Sequence, residues 1–118
     1  MENKKITIAF ICCILPLQIY AYPDEIRIKM DQITTSFEKK FMFFLYLKQN
    51  SKTPEIYNQA LCKVVKDHTS EMNSILEENQ QYLDEDERME VKSGTFLRKT
   101  TEQGKKSLAE NEIYCLDN

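Results

Sequence analysis

Glycine and proline are nearly missing from this chain. Its 118 residues hold two glycines and three prolines, and there is no tryptophan. An all-β domain of this length needs many turns, and the residues that make them are not there. Histidine occurs once, as His68, and no HExxH motif is present, so zinc and histidine-based catalysis have little to work with. No Asn-x-Ser/Thr sequon occurs, so N-glycosylation is not expected. An excess of basic residues is missing too: 16 Lys and Arg stand against 19 Asp and Glu, a net charge of −3. Binding of nucleic acid needs clustered positive charge and is not expected.

What is present begins at the start. Lys4 and Lys5 precede an apolar run over residues 6–20, broken by Pro16 and closed by Ala21. Basic, then apolar, then small is the order of a secretory signal peptide. The run is also about five residues short of the ~20 that a spanning helix needs. Residues 1–21 therefore read as a cleaved signal with its cut between Ala21 and Tyr22, in preference to an anchor. No second long apolar run follows, so no stable membrane insertion after cleavage is expected, and the protein is expected to be secreted. The remaining residues, 22–118, form a single small helical domain by expectation, with 14 basic and 18 acidic residues. A chain of this size buries a modest core, and a covalent staple helps it.

Four cysteines are present, and Cys12 and Cys13 leave with the signal. Cys62 and Cys115 remain, and two cysteines in an oxidising compartment usually pair. An intrachain bridge closes a long loop and is the expectation; an interchain bridge is the alternative. Cys62, once oxidised, is a poor nucleophile.

The apolar spacing after residue 24 is helical throughout. Over 24–49, Ile26, Met30, Ile33, Phe37, Phe41 and Phe44 form one stripe. Ile28, Met42, Phe43 and Tyr46 lie off it, on a thinner second face. A surface helix normally shows one apolar face, so two imply cover on both sides, by other helices or by a partner. A second helix is expected to open at Thr53-Pro54-Glu55, with Thr53 as cap and Pro54 at the first helical position. Its stripe is Tyr57, Leu61, Val64, Val65, His68, Met72, Ile75 and Leu76. Lys63, Lys66, Asp67, Glu71, Asn73 and Glu77 form its polar face. Asp84 with Glu87 fits a capping box that opens a third segment. The stripe there is weak: Met89, Phe96, Leu97 and Leu108. Gly94 marks a break, after which Thr95 is placed to cap a last helix reaching about Tyr114.

The cysteines bear on this layout. In a simple hairpin of segments two and three turning near Leu83, Cys62 faces a residue near Gln103. The mismatch to Cys115 is about twelve residues, ~18 Å at helical rise, whereas a disulfide needs Cα atoms within about 7 Å. The third segment must break near Gly94, or the tail after Asn111 must fold back, or the bridge must join two chains. The break is the preferred solution. The fold class is all-α, a bundle of three or four helices.

Candidate sites follow from these patterns. His68 lies inside an apolar stripe and reads first as a packed residue, not as an acid–base group. Residues 84–87 are four carboxylates without the glycine and spacing of a calcium loop, and read as a turn with a cap. No nucleophile, base and orienting group converge, so an enzyme is not expected, and no cofactor or metal is expected either. Two readings stay open. One is a secreted protein that acts by binding another protein, through Ile28, Met42, Phe43 and Tyr46. The other is a carrier of a small apolar molecule or lipid between the first two helices, lined by Phe37, Phe41, His68 and Met72.

Overall fold

A computed structural model of the protein describes residues 22–116, and the expected signal segment, residues 1–21, lies outside them. Four α-helices are found among the described residues, and no strand: α1 (Asp24–Gln49), α2 (Asn58–Glu78), α3 (Glu85–Lys92) and α4 (Thr95–Ala109). Short 3₁₀ turns, Pro54–Tyr57 and Gln80–Tyr82, lead into α2 and out of it. The helical hub is α2, which packs against α1, α4 and α3. It runs antiparallel to both α1 and α4, so each end of the stack gathers its own apolar cluster.

At one end Phe37 and Phe41 of α1 meet Leu61, Val64 and Val65 of α2, with Leu108 and Ile113. At the other, Tyr22, Ile26 and Met30 meet Met72, Ile75, Leu76, Leu83 and Val91. The stripe expected on α1 faces inward, with Ile26, Met30, Phe37 and Phe41 buried and Ile33 and Phe44 half-buried. Lys48 Nζ donates to Asn58 Oδ1 at 2.7 Å and joins the end of α1 to the start of α2.

Cys62 and Cys115 are bonded within the chain, with Cα atoms 5.7 Å apart. The twelve-residue mismatch is resolved twice over. Gly94 takes φ 82° and breaks the third segment, a left-handed position that suits glycine. The tail also folds back. The Ile113 N–H donates to Leu108 O at 3.0 Å and the Glu112 N–H to Ala109 O at 2.9 Å. With Glu112 at φ 63° this is a Schellman motif, and its usual apolar contact is Ile113 against Leu108.

Several expectations are corrected. The last helix stops at Ala109, not near Tyr114, because Ile113 turns into the core. Thr53 and Pro54 open a 3₁₀ turn and not α2, which starts four residues later, and Thr53 makes no side-chain cap. Gly94, not Thr95, occupies the cap position of α4. Met89 is exposed, and Val91 is the residue that α3 buries. Asn73 and Thr69 are buried on the α2 flank that other helices cover. The capping box is present: the Asp84 carboxylate accepts from the Glu87 N–H at 2.8 Å, and the Glu87 carboxylate from the Asp84 N–H at 3.1 Å.

Candidate functional site: the outer face of α1

The side of α1 turned away from α2 carries large apolar residues in the open. Ile28 is 55% exposed, Met42 52%, Phe43 57% and Tyr46 64%. No described helix covers them, so the second apolar face of this helix is not an internal packing face. Isolated exposed apolar residues are ordinary; these are not isolated. Met42 and Tyr46 are one turn apart, and Phe43 and Tyr46 are three residues apart, so their side chains are neighbours. Phe43 stands edge-on to the half-buried Phe44, with ring centroids 5.4 Å apart, which links the exposed group to the core beneath. Ile28 is separated from Met42 by fourteen residues, about 21 Å along the axis. The structure thus brings Met42, Phe43 and Tyr46 together and leaves Ile28 apart, with exposed Gln32, Thr35 and Lys39 between.

The second set of candidate residues lies inside. Phe37, Phe41, His68 and Met72 are all buried. The His68 ring stacks on Phe37 at a centroid distance of 4.4 Å, and Phe37 lies 5.5 Å from Phe41. Met72 belongs to the neighbouring cluster around Met30 and Leu76. His68 Nδ1 is buried without a hydrogen-bond partner. Burial also pushes the imidazole down from 6.5 to about 4, so His68 is neutral at physiological pH. A neutral ring packed between apolar groups supplies bulk, and a proton only in acid.

Other groups with chemical potential are already engaged. Cys62 and Cys115 are oxidised to each other. Asp84 and Glu87 close the capping box. Among the described residues no three His, Cys, Asp or Glu side chains are grouped to hold a metal, and no helix is long and apolar enough to cross a membrane.

Helical periodicity located the α1 face, because side chains three and four apart must share a side. It did not reveal a groove between α2 and α4, where polar residues such as Thr69 and Thr101 lie beside Val65 and Leu108. Comparison with protein-family models, with curated proteins and with solved structures gives no match for this chain.

Proposed function

We propose that this protein is exported by a signal over residues 1–21, cut between Ala21 and Tyr22, and acts outside the cell by binding another protein. The docking surface is the outer face of α1, centred on Met42, Phe43 and Tyr46. The observation that carries this reading is the exposure of these three neighbouring side chains, each more than half open to solvent. Aromatic and methionine side chains are enriched at interface centres, and aromatic rings bury a large area at low entropic cost. The internal Cys62–Cys115 disulfide is consistent with an oxidising compartment.

Phe43→Glu tests it. The residue is exposed, so its replacement shifts folding stability by about 0.5 kcal/mol or less. Proteins captured from an extracellular fraction by the wild type are compared with those captured by the variant, by quantitative mass spectrometry. A partner held by the wild type and lost with Phe43→Glu, at unchanged melting temperature, is the expected result. Unfolding of the variant would show that Phe43 is structural and would remove the basis of the proposal. Secretion is checked separately by N-terminal sequencing of exported protein, which should begin at Tyr22.

A further inference from the structure

A cut after Ala21 makes Tyr22 and Pro23 the first two residues of the exported chain, and the processing site inferred from them rests on that proposed cut. A free α-amine followed by proline at the second position is the substrate pattern of post-proline dipeptidyl aminopeptidases. Proline's fixed φ and missing N–H set it apart from other residues there. Pro23 itself lies at the surface. The bond to be hydrolysed, Pro23–Asp24, is nevertheless tied into the fold. Pro23 O accepts from the Ile26 N–H at 3.0 Å and from the Arg27 N–H at 3.1 Å, and so closes the first turn of α1. Attack on that carbonyl needs an extended segment free of these bonds, so the turn must open first.

Little besides Tyr22 holds that turn. No side chain caps it, and the Asp24–Arg27 ion pair is exposed and adds little. Tyr22 is 3% exposed, packed in the cluster of Ile26, Met30, Leu83 and Val91, and edge-on to Tyr82 at a centroid distance of 5.8 Å. The hold is incomplete. The Tyr22 hydroxyl is buried with no hydrogen-bond partner, and opening the turn returns it to water. We infer that Tyr22-Pro23 is a processing site for a post-proline dipeptidyl aminopeptidase, kept closed by the burial of Tyr22 and cut only when the first turn of α1 opens. Water adds across the Pro23–Asp24 amide: its hydroxyl goes to the Pro23 carbonyl carbon, its proton to the Asp24 nitrogen, and the dipeptide leaves. The shortened chain starts at Asp24, without the Tyr22 ring in its cluster. Where opening and closing are fast relative to cleavage, the cutting rate follows the open population.

The test uses the secreted, disulfide-bonded protein, first sequenced from its N-terminus. A start other than Tyr22 removes the signal reading and the site with it. Protein that starts at Tyr22 is incubated with a purified post-proline dipeptidyl aminopeptidase, and mass spectrometry follows the loss of Tyr-Pro. Slow release from the wild type is expected. Tyr82 is half-buried, so Tyr82→Ala leaves the fold in place. It takes away the ring partner and should speed release by about tenfold. Tyr22→Phe deletes the unpaired hydroxyl, keeps the dipeptide cleavable and should slow release several-fold. Pro23→Val should stop it. Phe43→Glu, on the outer face of α1, should leave it unchanged. Equal rates in the wild type, Tyr82→Ala and Tyr22→Phe would overturn the control by Tyr22, and no release from Tyr82→Ala would overturn the site.

Discussion

Around Phe41 the helices are tied by a covalent bond, and around Leu76 they are tied by packing and hydrogen bonds alone. The stapled end must bring Ile113 and Cys115 back onto the start of α2, a sequence separation of 53 residues at the disulfide. The unstapled end turns within a few residues. Arg88 Nη2 donates to Leu83 O at 2.9 Å, Arg88 Nε donates to Gln80 O at 3.3 Å, and the Asp84–Glu87 box sits beside them. Closing a long loop costs more entropy than closing a short one. The covalent bond is placed where the chain must return from furthest away, and local hydrogen bonds suffice where it does not.

Breaking the bond is the most direct attack on this contrast. Cys62→Ser with Cys115→Ser should lower stability by about 4 kcal/mol, the loop-entropy value for this separation. Urea unfolding measures the total. Hydrogen exchange then shows where it falls: amides near Leu61 and Leu108 should lose protection before those near Leu76 and Val91. Equal loss at both ends would mean that the helices open as one unit and that the contrast is geometric only.

Acid and alkali probe the boundary between the clusters and the distal end separately. His68 has its folded pKa lowered to about 4 from 6.5. The unfolded chain therefore takes up the proton first, and stability falls as pH drops from about 6.5 to 4, by roughly 2–3 kcal/mol. Tyr22, in the distal cluster, is pushed up to about 12, first by burial and then by the nearby Glu87 carboxylate. Here the folded state holds its proton longer, so stability is complete below pH 10 and declines between 10 and 12. Thermal melts across pH check both limbs. His68→Leu should flatten the acid limb alone; an acid limb that survives in this variant belongs to other groups.

Gly104 tests how the stapled end is built. Gly104→Ala gains about 1 kcal/mol of helix propensity but drives a methyl into Val65, and overpacking costs about 1–3 kcal/mol. A net loss of about 1 kcal/mol is expected, read from urea midpoints. Stabilisation instead would show that Val65 has room to move and that the close approach is not needed.

These contrasts were unevenly legible in the sequence. The α1 stripe from Ile26 to Phe41, the Asp84–Glu87 box and the Gly94 break rest on local spacing, and local spacing can be read from a single chain. The inward face of α4 is Thr100, Gly104, Ser107 and Leu108. Apart from Leu108 its residues are small, so a search for apolar stripes finds the segment weak and credits Met89 of α3, which is exposed. The tail's return was one of three solutions the cysteines left open, and spacing alone could not select it. A left-handed Glu112 costs roughly 1–2 kcal/mol and carries no residue signature. It is sustained by burial of Ile113, 1% exposed, a tertiary gain that spacing does not encode. The outer face of α1 was visible as a pattern, but only the structure shows that Ile28 stands apart from Met42, Phe43 and Tyr46.

The most local effect is expected at the unstapled end. Asp84→Ala removes the acceptor for the Glu87 N–H and should cost about 1 kcal/mol, the usual value of a lost cap. Asp84→Asn keeps an oxygen in place and should cost less. If the distal end is held by many short-range bonds, the loss appears as faster exchange in α3 and leaves the amides around Leu61 unchanged. A loss shared by Leu61 and Leu108 would mean that the cap supports the whole stack. The disulfide would then be a reinforcement of the far end and no longer the condition for its closure.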